Sequence, residues 1–532
     1  MGRSVGTYLI ELLETYGVDT VFGIPGVHTV ELYRGLAASR IRHVTPRHEQ
    51  GAGFMADGYA RVTGRPGVCM VITGPGLTNI ATAMLQARAD SIPMLVIAGV
   101  NDPSDRPLGR LHEMPDQFAF GAQVAAASWR VTEPEQLAAA LADAFALFEG
   151  RRPGPVLIEV PLSVMPLDTQ ELGTATRSAP FHAPDADPAL LDQAADRLQR
   201  SARPAILIGG GGRRAAEAVS DLAHRIDAPI VTTINARTCF GADHKLAVPA
   251  SASLDPVRAL IDESDVVLAV GTELGPTDYD VYSTGRMIAP ETLIRIDIDP
   301  TMEHGPVPSR LFLTGDADRT VRALLERIPD AAKGSIAAQR AADAKTAAWA
   351  SLSAPYQASV RLLETLRDTL NEPVLVGDST QLAYAGCMMF APGANAGWFN
   401  SSTGFGTLGY ALPAAIGAKL GAPDKPVIAL IGDGGIQFTL GELGAIGDEK
   451  APIVVLVWNN RGYGEIKNFM VERQITPEGV DPVPPEFQKI AEAYRLDYFH
   501  LAEKDAASGL ADVAEKAASA PRGAIIEITA AF

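Results

Sequence analysis

The sequence predicts an α/β protein built from three doubly wound parallel-sheet domains. Short apolar runs alternate with helical stretches, which is typical of such domains. The alternation falls into three blocks, and at 532 residues the chain is too long for one hydrophobic core. We therefore expect domains at 1–165, 189–330 and 357–532. A Pro-, His- and Asp-rich stretch separates the first two, and an Ala-rich polar stretch separates the last two.

Each block contains several runs that are typical of buried strands. The first block opens on a helical pattern with Gly17 as its stop, and continues with "GVCMVIT", "MLVIAG" and "GPVLIEVPLSV". The second contains "RPAILIGGGG", "PIVTTI", "DVVLAVG" and "LIRIDIDP". The third contains "PVLVGDST", "VIALIGDGG" and "IVVLVWNN". Ligands of open parallel sheets bind at the carboxyl ends of strands, so the residues just after these runs are the candidates for function.

Composition excludes several classes of protein. The net charge of −18 and the lack of a Lys/Arg-rich run argue against nucleic acid or an anionic membrane surface as partner. No apolar run is long enough for a membrane span, and the amino terminus has a helical pattern rather than that of a signal peptide. The three cysteines are far apart, which argues against a disulfide framework or a cysteine zinc site. We expect a cytoplasmic enzyme.

Polar residues end two neighbouring strands of the third block. Asp433 follows "VIALIG", and Asn460 follows "IVVLVWN". In one strand–helix–strand unit both side chains lie at the same sheet edge, where a carboxylate and an amide oxygen suit Mg²⁺ or Ca²⁺. Glycines beside Asp433 would let backbone N–H groups approach a phosphate. The alternative is a tight turn in which Asp433 only caps the next helix.

The spacing of these residues is similar to that of a known cofactor motif. Residues 435–458, 24 in number, separate "GDG" from "NN", as in the motif of thiamine diphosphate enzymes. Glu49 precedes "ADGYARVTG", and "GPGLTN", "SIPMLVIAG" and "RPGPVLIEVP" follow. With these segments the chain resembles the acetolactate synthase-like superfamily of thiamine diphosphate enzymes over most of its length.

The resemblance implies thiamine diphosphate and Mg²⁺ as cofactors. It implies Asp433, Asn460 and the Gly462 carbonyl as metal ligands, with Asn459 holding the turn. Glu49 would hydrogen-bond the cofactor's pyrimidine ring and promote its deprotonation, although a first-turn glutamate often only stabilises its helix. Leu408 takes the place of the bulky aliphatic residue that bends the cofactor. The other cofactor-binding residues implied are Pro25, Thr380, Gln381, Gly404, Gly406, Thr407, Gly432, Gly434, Gly435, Tyr463 and Gly464.

Residues in two amino-terminal loops are the other catalytic candidates. Gly26 in "GIPGVH" matches the loop that lies over the thiazolium ring in the superfamily, and His28 or His112 could relay protons. Each histidine taken singly could equally be a surface or capping residue. In the superfamily one subunit's pyrimidine-binding domain meets another's diphosphate-binding domain. The resemblance therefore implies at least a homodimer, and commonly a tetramer.

The central block departs from true acetolactate synthases, which hold FAD there. Where that family has its GMxGMHG segment, residues 247–253 read "AVPASAS", and its RFDDR segment is also absent. The glycine run in "ILIGGGGRR" is weak support for a nucleotide. These departures put both FAD and acetolactate synthesis in doubt.

The resemblance therefore favours non-oxidative decarboxylation of a 2-oxo acid to an aldehyde. The segment "FGIPGVHTVELYRGL" is most similar to enzymes acting on 5-guanidino-2-oxopentanoate, whose guanidinium could be held by Glu113, Asp116, Asp278 or Asp280. One alternative is an acetolactate synthase-type carboligase. Another is a catalytically silent, cofactor-binding partner subunit, against which the presence of Glu49, Asp433 and Asn460 together argues.

Overall fold

The computed structural model is an α/β fold with three six-stranded parallel sheets, as the sequence predicts. The structure describes residues 2–279, 281, 285–330, 336–394 and 397–530. Asp280, one of the four acidic residues considered for guanidinium binding, lies outside these ranges. The boundaries at 165, 189, 330 and 357 stay predictions.

The first sheet has the order β2-β1-β3-β4-β6-β5, and its strand pairs are parallel. Its strands are β1 Thr20–Gly23, β2 Arg42–Val44, β3 Gly67–Val71, β4 Met94–Val100, β5 Ala127–Arg130 and β6 Pro155–Pro161. The helices of this part of the chain are Val5–Thr15, Val30–Leu36, Glu49–Thr63, Pro75–Ala89, Gln117–Val124 and Gln136–Gly150. All residues of β3, β4 and β6 are buried, because helices cover both faces of the sheet.

The second sheet has the order β12-β11-β10-β7-β8-β9. Its strands are β7 Pro204–Ile208, β8 Ile230–Thr232, β9 Ala247–Val248, β10 Val266–Val270, β11 Leu293–Asp297 and β12 Leu311–Thr314. The α-helices of this part are Pro188–Arg200, Ala216–Ile226, Asp255–Asp262 and Ala317–Arg327. The glycine run after β7 forms a 3-10 helix, Gly210–Ala215.

The third sheet has the order β14-β13-β15-β16-β18-β17. Its strands are β13 Val374–Gly377, β14 Gly397–Asn400, β15 Val427–Gly432, β16 Val454–Asn459, β17 Asp497–Ala502 and β18 Ala524–Thr529. The α-helices are Ile336–Ser351, Ala354–Thr369, Gln381–Met388, Ala411–Gly421, Leu443–Asp448, Gly464–Glu472, Phe487–Tyr494 and Glu503–Ala518. The 3-10 helices Gly435–Phe438 and Leu440–Glu442 follow β15.

The chain divides into two compact units. The first comprises Met1–His182, Phe405–Phe499 and Lys516–Glu527, and the second comprises Ala183–Gly404, His500–Glu515 and Ile528–Phe532. The first unit therefore contains the first sheet together with the segment that carries Asp433 and Asn460. No helix within the described ranges is long and apolar enough to cross a bilayer.

Glycines allow two helices of the first unit to pack backbone against backbone. A Cβ at Gly58 would overlap the Ala414 carbonyl oxygen, and a Cβ at Gly417 would overlap that of Met55. The helix Glu49–Thr63 therefore lies directly on the helix Ala411–Gly421. This contact explains why "ADGYARVTG" carries a glycine inside a helix, a position where glycine is otherwise unfavourable.

Candidate active site

The turns after β15 and β16 bring Asp433 and Asn460 together. The two strands are parallel neighbours with Gly432 opposite Trp458, and the Asp433 N–H donates to the Trp458 carbonyl at 3.1 Å. Consecutive strand ends therefore place both side chains at one edge of the sheet, as the sequence predicts.

Three polar groups, the predicted metal ligands, converge at this edge. One end of the Asn460 amide lies 2.8 Å from the Gly462 carbonyl oxygen and 3.2 Å from Asp433 Oδ1. If this end is the amide nitrogen, it donates to the Gly462 carbonyl and to Asp433. If it is the amide oxygen, three oxygen atoms face one another, an arrangement that a cation between them would stabilise. The Asp433 Oδ2 atom is buried without a hydrogen-bond partner in the described part of the chain. Burial raises the pKa of Asp433 to about 6, against the opposing effect of nearby backbone N–H groups.

This donor set fits the predicted Mg²⁺. One carboxylate, one amide oxygen and one backbone carbonyl are hard ligands, and Mg²⁺ completes its shell with water and phosphate oxygens. A cation would also satisfy the orphaned Asp433 oxygen. The set holds only one carboxylate, and the described residues contain no cluster of three or more His, Cys, Asp or Glu side chains suited to a metal.

The turn after β16 depends on a glycine and on Asn459. Gly462 has a φ of 152°, and a Cβ there would lie 2.5 Å from the Val480 carbonyl oxygen. Asn459 is buried, accepts from the Arg461 N–H at 3.1 Å and donates to Glu527 at 2.6 Å. Asn459 thus shapes the turn, while Asn460 faces Asp433.

The remaining predicted diphosphate-side residues also lie at a strand end, at helix starts or in turns. Gly432 ends β15, and Gly434 and Gly435 lead into the 3-10 helix that follows. The Tyr463 ring packs against Gly434. Gly464, the next residue, begins the helix Gly464–Glu472. Thr380 and Gln381 begin the helix Gln381–Met388 after β13. Gly404 and Gly406 each have a φ of 73°, which favours glycine. Leu408 is half-buried, and the adjacent Thr407 hydroxyl donates to Gln86 at 3.0 Å.

Glu49 is the first residue of the helix Glu49–Thr63, and only 8% of it is exposed. The Asn79 side-chain amide donates to Glu49 Oε2 at 2.9 Å. Asn79 is the last residue of the quoted segment "GPGLTN", in the helix Pro75–Ala89. The carboxyl is therefore held in one orientation at the carboxyl edge of the first sheet.

The two predicted histidines contact each other. The rings of His28 and His112 lie 5.2 Å apart and nearly perpendicular, in loops after β1 and β4. Burial, and secondly the proximity of His112, lower the pKa of His28. Thr29 ties the His28 loop by bonding Gly26 at both its N–H and its carbonyl, 3.2 Å each, and Pro25 is exposed in the same loop.

Sequence reasoning missed three residues that position these groups. Asn79 ends the segment "GPGLTN", which the resemblance already includes. Its position one turn into a helix is the feature of the sequence that could have marked it as a functional residue. Gln117 accepts from the Gly74 N–H at 2.8 Å and donates to the Gly99 carbonyl at 2.9 Å, which ties two loops of the first sheet together. Glu442 accepts from the backbone N–H groups of Arg47 and His48, directly before Glu49.

Two of the acidic residues considered for guanidinium binding are already occupied. Glu113 accepts from the backbone N–H groups of Leu108, Gly109 and Arg110, and it pairs with the Arg110 side chain. Asp116 caps the helix Gln117–Val124 by accepting from the Ala119 N–H at 2.9 Å. Both carboxylates shape the loop that carries His112.

Three family models match the chain. The thiamine pyrophosphate enzyme N-terminal TPP binding domain covers residues 3–120, the central domain 191–324 and the C-terminal TPP binding domain 378–528. The chain belongs to the thiamine pyrophosphate enzyme family. The superfamily and the thiamine diphosphate cofactor predicted from the sequence are thereby confirmed.

Relatives of this thiamine pyrophosphate enzyme include a decarboxylase and acetolactate synthases. "Probable 2-ketoarginine decarboxylase AruI" of Pseudomonas aeruginosa is 46% identical over 92% of this chain and 88% of its own. The acetolactate synthase large subunit of Corynebacterium glutamicum is 32% identical over 87% and 75%, and that of Parasynechococcus marenigrum 28% over 93% and 83%. The protein is accordingly a thiamine diphosphate-dependent enzyme of the 2-oxo acid decarboxylase or acetolactate synthase-like kind.

Proposed function

We propose that this protein is a Mg²⁺- and thiamine diphosphate-dependent decarboxylase that converts 5-guanidino-2-oxopentanoate (2-ketoarginine) to an aldehyde and carbon dioxide. The main support is the convergence of Asp433, Asn460 and the Gly462 carbonyl on one point, where a metal would hold a diphosphate. The 46% identity to a relative named for 2-ketoarginine supports the substrate. The segments lost relative to acetolactate synthases support decarboxylation over carboligation.

The chain's own residues would bind and orient the cofactor and move protons. Thiamine diphosphate, when bound, supplies a nucleophilic carbon and an electron sink for the carboxylate's electron pair. Glu49, held by Asn79, would share a proton with the cofactor's pyrimidine nitrogen. Asp433, Asn460 and Gly462 would hold Mg²⁺. The remaining cofactor-side residues keep the roles that the resemblance implies, with Leu408 supporting the bent cofactor.

The His28–His112 pair would exchange protons with the substrate. Because the lowered pKa of His28 keeps that ring neutral at pH 7, one of its nitrogens can accept a proton while the other donates. His112, in edge-to-face contact with it, would supply the proton that the product needs. Gly26 leaves room beside Ile72, since a Cβ there would lie 2.5 Å from the Ile72 methyl group.

Glu465 is the acidic group best suited to a cationic substrate. It lies in the first turn of the helix Gly464–Glu472, directly after the Gly462 turn. Glu465 is solvent-exposed, and partial desolvation by its neighbours, with repulsion from Glu472 second, raises its pKa. A guanidinium placed there would relieve that repulsion through charge-assisted hydrogen bonds.

We further infer that the enzyme is cytoplasmic and has domains at 1–165, 189–330 and 357–532. We expect it to be at least a homodimer, and a tetramer is the assembly we favour. The arrangement that the resemblance implies, in which two subunits complete each site, supports this assembly.

The first experiment is to measure carbon dioxide release with thiamine diphosphate and Mg²⁺, comparing pyruvate, branched and aromatic 2-oxo acids and 5-guanidino-2-oxopentanoate. We expect the guanidino acid to give the highest kcat/KM and a single aldehyde product. Acetolactate from pyruvate would instead establish the carboligase, and absence of turnover with every acid would favour the silent subunit. A visible spectrum of the purified protein tests for bound flavin.

Three sets of variants test the roles. Asp433→Ala and Asn460→Ala should lose Mg²⁺-dependent cofactor binding, and retained affinity in either would refute the metal site. Glu49→Gln should bind cofactor yet turn over at least about a hundredfold more slowly. Glu465→Gln should raise KM for the guanidino acid but not for an uncharged 2-oxo acid of similar length, with the exposed Glu478→Gln as the matched control.

A further inference from the structure

A buried carboxylate from the carboxyl-terminal part of the first unit holds the turn that precedes Glu49. Glu442 Oε1 accepts from the Arg47 N–H at 3.0 Å and from the His48 N–H at 3.1 Å, and Oε2 lies 3.1 Å from the Arg47 nitrogen. Only 1% of Glu442 is exposed. Neither N–H group has a partner within the helix, because Arg47 precedes it and His48 is its N-cap residue.

The helix is shaped to receive this carboxylate. A Cβ at Gly51 would overlap Glu442 Oε1, so the glycine two residues after Glu49 provides the space. His48, the N-cap residue, uses its own Nδ1 for the Gln50 N–H at 3.1 Å, and is therefore not available to cap the N–H groups that Glu442 binds. Glu442 thus adds to the local cap by holding two further N–H groups.

We propose that Glu442 is a positioning residue, whose ionised carboxylate fixes the Arg47–His48 turn and thereby the orientation of Glu49 against Asn79. This inference rests on the proposed function of Glu49. Glu442 itself is not expected to contact cofactor or substrate. It lies in the short helix Leu440–Glu442, which follows the Asp433 turn along the chain.

The charges around Glu442 give the proposal a pH signature. Burial raises the pKa of Glu442 to about 7, while the N–H groups of Arg47 and His48 and the Arg47 charge oppose that rise. Arg47 is itself paired with Asp448 at 2.6 Å, and Glu49 and the His48 ring share the same helix start. Above pH 7 both oxygens of Glu442 can accept, whereas below it one oxygen carries a proton and loses its hydrogen bond.

The test is Glu442→Gln, which keeps the shape and removes the titration. In wild type we expect kcat to rise with pH through a limb near 7. The variant should lack this limb, with kcat about tenfold below wild type at pH 8 and close to it at pH 6, because one hydrogen bond to the turn is permanently lost. Cofactor affinity should change less than threefold.

A second readout needs no cofactor. In the folded protein the pKa of Glu442 is about 7 instead of its ordinary 4.5. The free energy of unfolding therefore falls as pH rises from about 4.5 to about 7, because the folded state must release this proton at a higher pH than the unfolded chain. Glu442→Gln lacks this pH dependence. The Tm difference, variant minus wild type, should therefore become more positive between pH 5 and pH 8 in protein freed of thiamine diphosphate.

Tyr410→Phe is the structural control. The Tyr410 hydroxyl donates to Asp57, which lies in the same helix as Glu49 but away from it. This substitution should lower Tm and leave the pH limb in place. An unchanged pH profile in Glu442→Gln, or loss of the limb in Tyr410→Phe as well, would overturn the positioning role. If Glu49→Gln keeps near-normal turnover, the proposed function fails instead, and the pH dependence of Tm then tests the Glu442 contact alone.

Discussion

Replacing Arg61 with methionine should destabilise the first unit severely. The Arg61 guanidinium lies between two carboxylates, with Nε 2.6 Å from Asp57 Oδ1 and Nη2 2.6 Å from Asp90 Oδ2. At most 4% of any of these three side chains is exposed. Burial alone would lower the pKa of Arg61, but the negative charges of Asp57 and Asp90 hold it well above its ordinary value.

The magnitude follows from what the substitution leaves behind. Methionine fills much of the same volume, so the main change is that two buried carboxylates lose their counter-ion and face each other. Removing one partner of a buried ion pair typically costs about 3–5 kcal/mol. At roughly 2–4 °C per kcal/mol for a domain of this size, Tm should fall by about 6–20 °C.

The assay is thermal unfolding at pH 7.5, followed by circular dichroism at 222 nm. Arg65→Met is the matched control, because Arg65 is four residues further along and pairs with Asp19 at 2.7 Å, with 47% and 50% of the side chains exposed. Such an exposed pair contributes at most about 1 kcal/mol. A Tm for Arg61→Met within about 2 °C of wild type would refute the reasoning.

Three further predictions concern single residues. Gly462→Ala should weaken Mg²⁺ binding at least about tenfold by isothermal titration calorimetry. An alanine is strained at a φ of 152° and its Cβ would collide with the Val480 carbonyl, so the turn should shift. An unchanged affinity would count against the Gly462 carbonyl as a metal ligand. Gly58→Ala should cost about 2 kcal/mol or more in urea unfolding, since its Cβ meets backbone that cannot move aside; wild-type stability would contradict the close helix contact. Asn79→Ala should slow turnover about tenfold with cofactor affinity kept within threefold, because it frees the Glu49 carboxyl; unchanged kcat would remove Asn79 from the site.

The position of the residues proposed to bind the cofactor was predictable because strand ends and short motifs are local properties. Asp433 and Asn460 each follow an apolar run, and parallel neighbouring strands must bring their carboxyl ends to one edge. The same reasoning placed Glu49 at a helix start. Glu113 and Asp116 show its limit, since nothing in their spacing indicates that backbone N–H groups already occupy them.

The sequence by itself determined the fold class, the family, and the residues that its motifs carry, because hydrophobic periodicity and motif spacing act over tens of residues. Only the tertiary structure decided which groups hold those residues in place. Glu442 meets the turn before Glu49, and Thr407 meets Gln86, across more than 300 residues of chain. The reason is physical. A buried polar group must find a partner wherever packing allows, and packing is a property of the folded helices rather than of any short stretch.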